Sequence, residues 1–224
     1  MPADNELLPA FPELYRHQPL LFIPNQGQAD ANVSFIAEKL GYYVGISSQE
    51  VSMTICQPNE IRNVLHLAWR FVGAAEDTIV EGIDQETGSF HYFTGPRSAF
   101  RYMNLPSYRK VICREIWQGI DVLIHEQQQS LKYDWIIRSN GRPDDIRLAC
   151  KGCNDISLNR DGSLVVDTDL GKLIEPKPTA YQIRKSESVP VSCRYALRSC
   201  PRERTTIGFE LPEGYDRRLE LIIK

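Results

Sequence analysis

The chain has 224 residues, 42% of them hydrophobic and 25% charged, with a formal net charge of −3. These values exclude a disordered or fibrous chain, and so small a net charge predicts neither a strongly acidic nor a strongly basic partner. No stretch approaches the roughly 20 apolar residues that span a bilayer, and the polar start from Met1 to Gln18 lacks the basic region and apolar core of a signal peptide.

Residues 1–19, with Pro2, Pro12 and Pro19 among polar residues, read as an N-terminal arm with partial helix around Glu13 to His17. From Leu20 the pattern becomes that of short strands. Leu20 to Ile23 is an apolar run stopped by Pro24-Asn25. Val33 to Ala37 and Gly41 to Ile46 follow, rich in β-formers. Val51 to Ile55 alternates with period two, so one of its faces is buried. Val64 to Val72 alternates as well, placing Leu65, Leu67, Trp69 and Phe71 together on one face. Ser89 to Phe93 is strand-like, and the aromatic stretch from Phe100 is broken at Asn104 and Pro106. Tyr108 to Ile116 predicts a further strand. Ile120 to His125 and Leu131 to Ile137 flank a polar turn, Glu126 to Ser130, as a long hairpin.

The second half is punctuated more clearly. Ile146 to Cys150 precedes a turn at Lys151-Gly152, and Ile156 to Leu158 is a short strand. Asn159 to Gly162 is a strong turn signal. Ser163 to Thr168 and Lys172 to Ile174 form the next pair, ended by Pro176 and Pro178, because proline donates no ladder hydrogen bond. Ala180 to Ile183, Val191 to Leu197, Thr205 to Leu211 and Leu219 to Ile223 complete the set. Many short strands with no βαβ alternation predict an all-β, antiparallel, sandwich-like fold over residues 20–224. The polar stretch 138–144 is read either as a boundary between two packed β-subdomains or as a loop inside one.

Candidate chemistry is sparse. Cys150-Lys151-Gly152-Cys153 supplies two ligands where structural zinc takes four. Cys193 and Cys200 would have to supply the others, at a spacing looser than usual; Cys56 and Cys113 stand apart. A redox role needs the pair at a helix start, and here it follows a strand. Most of the six cysteines read as buried, reduced thiols. His17, His66, His91 and His125 are scattered without metal spacing. Asp121 and Asp134 flank the hairpin and would lie nearly opposite or one register step apart, with Glu115 and Glu126 nearby. Such a pair suits acid/base work on a glycoside, although carboxylates at strand edges are commonly structural. The tyrosines, with Trp69, Trp117 and Trp135, suit either core packing or a sugar-binding platform. Arg194, Arg198, Arg202 and Arg204 form a local basic stretch, read as a solvated hairpin rather than a nucleic-acid contact. No nucleophile elbow, dinucleotide fingerprint or P-loop is present. No catalytic, cofactor-binding or metal residue is assigned.

An ordered series of short motifs resembles an uncharacterised bacterial domain found N-terminal to SBBP-type β-propeller repeats and related extracellular modules. Phe22 to Gln28 resembles that family's F-x-x-N-x-G-Q opening, and Gly41 to Val44 its glycine-aromatic strand. Phe71 to Ala74 with Glu81-Gly82, Tyr92 to Gly95, Tyr102 to Tyr108 and Trp117 to Val122 come in the family's order. Tyr133 to Ile137, Asp161 to Leu164, Pro178 to Gln182, Gly208-Phe209 and Gly214 to Asp216 continue it to a closing strand at Leu219 to Ile223. The resemblance implies an all-β module of larger surface or secreted proteins, and it brings no catalytic residues. The reading is therefore a non-catalytic structural or interaction module that contacts proteins or neighbouring domains. A carbohydrate-binding or carbohydrate-active sandwich using aromatic and carboxylate residues is the alternative, with a polysaccharide as partner. Neither a nucleic acid nor a membrane span is expected.

Overall fold

A computed structural model describes residues 19–39, 41–56, 64–94, 100–200 and 204–224. The N-terminal arm before residue 19, His17 and Arg202 lie outside the described residues, as do the side chains of Cys200 and Arg204. The described chain is all-β and every strand pair in it is antiparallel.

The strands in the first part are β1 (Phe22–Pro24), β2 (Phe35–Lys39), β3 (Tyr42–Ile46), β4 (Glu50–Cys56), β5 (Val64–Phe71), β6 (Ile79–Gln85), β7 (Phe90–Thr94) and β8 (Phe100–Leu105). The middle contributes β9 (Tyr108–Trp117), β10 (Ile120–Gln127), β11 (Ser130–Ile137), β12 (Leu148–Lys151), β13 (Asp155–Leu158), β14 (Leu164–Thr168) and β15 (Gly171–Glu175). The chain ends with β16 (Ala180–Arg184), β17 (Glu187–Val191), β18 (Arg194–Cys200), β19 (Arg204–Glu210) and β20 (Leu221–Ile223).

One large sheet folds over on itself to make the sandwich. Its first half runs β6-β9-β10-β11-β20-β16-β17 and its second β1-β2-β3-β4-β5-β12-β19-β18. A single register pair, Phe22 with Tyr108, joins the two through β1 and β9. Period-two alternation supplies each inner face. Val111, Cys113, Val122, Ile124, Trp135 and Ile137 come from one half, and Phe35, Ala37, Val44, Ile46, Val51 and Phe71 from the other, all in one buried cluster. The facing aromatics meet directly. Phe71 and Trp135 are 6.1 Å apart in an edge-to-face contact, and Trp135 reaches Phe209 at 6.4 Å. Each large apolar side chain buried this way stabilises the fold by about 1.5–3 kcal/mol.

Two smaller units cover what the sandwich leaves open. The β7–β8 hairpin lies on the outer face of β1 and β2, where Leu105, Tyr92 and Tyr102 pack against Ile23 and Ile36. The sheet β13-β14-β15 seats Leu164, Val166 and Leu173 against Leu65, Leu67, Trp69 and Ile207. Lys132 of β11 bonds Glu175 of β15 at 3.1 Å, tying that small sheet back to the first half.

Besides β8, which the residue pattern gave only as a broken aromatic stretch, two strands were not legible from the residue pattern. β6 is interrupted by Gly82 and carries two acids. The glycine is required by packing: a Cβ there would lie 2.4 Å from the Tyr108 ring. β17 holds Pro190, which an edge strand tolerates because one of its sides needs no ladder bond.

The β10–β11 hairpin also differs from expectation at its turn. The loop is only Gln128-Gln129, with φ of 51° and 62°, the two-residue geometry that ordinarily selects Asn-Gly. Glutamine pays strain in the left-handed region, about 1–2 kcal/mol per residue. Changing Gln128→Asn together with Gln129→Gly is expected to stabilise the chain by about 1–2 kcal/mol. A urea midpoint that stays put or falls would contradict this.

Candidate functional site

The register pairs Asp121 with Ile136 and Leu123 with Asp134, so the two aspartates share a face but stand two residues apart on a diagonal. Of the two expected placements, nearly opposite or one register step apart, the near-opposite one is thereby corrected. The shorter turn shifts the pairing, and each aspartate acquires its own partners.

Asp121 is 2% exposed and sits in a bulge where Arg114 to Ile116 of β9 stand against it alone. Glu115 there has φ of 52°, which takes its N–H out of the ladder. That N–H donates to Asp121 Oδ1 at 2.8 Å. Arg138 donates to Asp121 Oδ2 and to Glu115 at 2.6 Å. Gly119 N donates to Glu115 Oε2 at 2.9 Å. Asp121 thus supplies the acceptor that the bulge removed.

Asp134 lies 3.3 Å from Lys224 Nζ. It lies 3.2 Å from His125 Nε2, a contact at ion-pair distance without hydrogen-bond alignment, since Nε2 has no hydrogen-bond partner. Burial pushes the Asp134 carboxyl up, but His125 and Lys224 together hold it below the usual carboxylate range. Glu126 accepts from the Leu20 N–H at 2.7 Å and from Lys39, which fastens the hairpin end to β1 and β2.

Other motif residues take the same kind of work. Asn25 donates through Nδ2 to the carbonyls of Ala29, Asp30 and Val33, and its Oδ1 accepts from Gly27 and Ala29. The N-x-G-Q loop is therefore cemented from within, and Tyr102 closes it with a 2.9 Å bond to the Gly27 carbonyl. Gln182 does the same for the last loop, donating to the carbonyls of Asp216 and Leu219 and accepting from Asp216 N.

Trp135 and Trp117 are buried in the core, and Trp69 packs against the small sheet, so the tryptophans belong to packing. The five cysteines whose side chains are described, Cys56, Cys113, Cys150, Cys153 and Cys193, carry free thiols. Burial pushes the Cys113 and Cys193 thiols up to about 12. Cys150 and Cys153 flank a turn rather than a helix start, with Gly152 at φ +87°. His66 bonds Thr54 at 2.9 Å, and His91 accepts from the Asn104 N–H at 3.2 Å. Among the described residues no group of three or more His, Cys, Asp or Glu is arranged to hold a metal, and no helix is long and apolar enough to cross a membrane. Arg194 pairs with Glu210 at 2.7 Å and Arg198 with Asp144 at 3.0 Å.

One polar group was missed in the sequence. On the outer face of the second half, Glu38 of β2 is the direct cross-strand partner of Tyr43 of β3, which in turn faces Thr54 of β4. Tyr92 of the β7–β8 hairpin rises beside them from the same apolar base as Tyr43. Gly45 is buried, with Ser52 Oγ, Val33 Cγ2 and the Tyr43 ring 2.8, 3.6 and 3.7 Å from where a Cβ would be. Among the described residues nothing hydrogen-bonds to the Glu38 carboxylate or to the hydroxyls of Tyr43 and Tyr92. Burial raises all three groups, and Glu38 adds to the rise at both tyrosines. The one sequence signal for this corner is an aromatic two residues before a glycine within a strand.

Elsewhere among the described residues the surface offers shallow depressions, two of which bear on residues named above. The one of 340 Å³ is lined by Val72, Gly73, Ala75, Trp117, Gln118, Asp145 and Arg147. The other, of 240 Å³, includes Asp216, already engaged by Arg218 at 2.8 Å.

Residues 22–224 match the family described as Domain of unknown function (DUF7948), and the chain belongs to that family. No curated protein and no solved structure matches the chain.

Proposed function

We propose that this family member is a non-catalytic module that acts by contact with other molecules. The observation that carries the reading is the fate of its polar motif residues. Asn25, Asp121 and Gln182 all direct their side chains at backbone groups of the fold. A catalytic acid, base or nucleophile instead has to face a substrate, within hydrogen-bond reach of an orienting group. The strongest acid/base candidates, Asp121 and Asp134, are held in separate ion pairs. The resemblance to domains that precede SBBP-type repeats fits the same reading, with neighbouring domains of a bacterial surface protein as the setting.

A screen against chromogenic esters, phosphate monoesters, peptides and glycosides tests this. The expected result is no turnover above buffer. Turnover that disappears in Asp121→Asn or Asp134→Asn would overturn the proposal.

A further inference from the structure

We infer that Cys150 and Cys153 form a modification site: a small disulfide such as oxidised glutathione converts the two thiols into a disulfide bond, which fastens the β13-β14-β15 sheet to the sandwich.

The fold brings the two side chains together. Cys150 lies in β12, opposite Trp69 of β5, and Cys153 stands two residues before β13. Between them Gly152 turns the chain at φ +87°. It fits so closely against β5 that a Cβ would meet the His66 carbonyl oxygen at 1.9 Å. The turn carries Cys153 back over Cys150, where its Sγ donates to the Cys150 carbonyl oxygen at 3.8 Å. Both side chains then rest on the same residues. Each packs against the cluster of Ile55, Leu65 and Leu67 and against that of Leu164, Val166 and Ile207. The pair therefore occupies the seam between the small sheet and the large one. Burial first, and the neighbouring Cys153 thiol second, push the Cys150 thiol up, in keeping with this placement.

The pair differs from the other cysteines whose side chains are described. Cys113 and Cys193 are buried in the sandwich core. Cys56 is part-exposed but belongs to neither of the two clusters at the seam. Cys150 and Cys153 are both part-exposed, which lets a small disulfide reach them, and each has the other thiol to complete the exchange.

The exchange balances in two steps. Burial disfavours the Cys150 thiolate, so Cys153 attacks first. Its sulfur displaces one glutathione thiolate and keeps the other half as a mixed disulfide. Cys150 then gives up its proton and attacks the Cys153 sulfur, which expels the second glutathione. The pair loses two electrons and two protons, and oxidised glutathione leaves as two thiols. The new bond closes the crossing from β12 into the small sheet, where Asn154 N already donates to the Asp167 carbonyl at 2.8 Å.

Tryptic mapping after equilibration in graded glutathione buffers tests the inference. Trypsin cuts after Arg147, Lys151 and Arg160, so the reduced chain yields Leu148–Lys151 and Gly152–Arg160 apart, whereas the bridge keeps them joined. The folded full chain is expected to yield the joined pair, released by dithiothreitol. Its constant for bridge formation should exceed that of the urea-unfolded chain by at least about 10-fold. Amides of β13–β15 should exchange with solvent at least about 3-fold more slowly in the oxidised chain, and Cys153→Ser in the same buffer should lose that slowing. Separate peptides even in the most oxidising buffer would overturn the site, as would equal constants in the folded and unfolded chains. A bridge from either cysteine to Cys56 or Cys200 would overturn it too. Unchanged exchange on oxidation, or slowing that persists in Cys153→Ser, would overturn the fastening of the small sheet.

Discussion

Replacing Gly152 with alanine is expected to cost about 4 kcal/mol, in the range reserved for a named local clash. Gly152 turns the chain after β12 with φ of +87°, a conformation that costs an L-residue about 1–2 kcal/mol. The larger part is steric. A Cβ there would stand 1.9 Å from the carbonyl oxygen of His66 on β5, and a backbone atom inside a paired strand cannot swing away as a side chain does. Relief requires β5 and β12 to part, yet β5 carries Leu65 and Leu67, against which the small sheet rests. Chemical denaturation should show a lowered midpoint with far-UV dichroism still of the β type. A loss below about 1 kcal/mol would mean that the turn relaxes freely and that the cysteine pair is not fixed by this contact.

Removing the Asp121 carboxylate is expected to be nearly as damaging, at about 3–5 kcal/mol for Asp121→Ala. The change strips the acceptor from the Glu115 N–H and leaves the part-exposed Arg138 paired with Glu115 alone. A buried donor without a partner costs about 1–3 kcal/mol by itself. Asp121→Asn should cost less, because one amide oxygen can still accept from Glu115. An order of Ala worse than Asn worse than wild type is the signature of a bulge acceptor. Equal losses in the two variants would point to the charge alone, and no loss in either would remove Asp121 from the structural account.

The strand pattern carried most of the fold. Period-two runs at β4 and β5 alternate between inner and outer residues because each borders the buried clusters, whereas β14 is buried at Leu164, Val165 and Val166 alike. β6 escaped notice because Gly82 answers to a distant ring, Tyr108, rather than to its own strand. The hairpin was legible but its register was not, since Gln128-Gln129 gives no local sign of a two-residue left-handed turn. That one detail decided whether Asp121 and Asp134 could act together. The family-like motifs stood out in the sequence as a series. Their roles could not, because the carbonyls that Asn25 and Gln182 hold lie in loops whose positions only the folded chain fixes. The Glu38 corner was least visible of all, as Tyr92 reaches it from a hairpin about 50 residues away in sequence.

The central claim, contact without turnover, meets its most direct test in the mass of the oligosaccharides recovered after prolonged incubation with the full chain. Mass spectrometry of cellohexaose, xylohexaose, laminarihexaose and chitohexaose should return each one intact, including any that the chain retains. A shortened product that forms with the wild-type chain and vanishes with Asp121→Asn or Asp134→Asn would contradict the account.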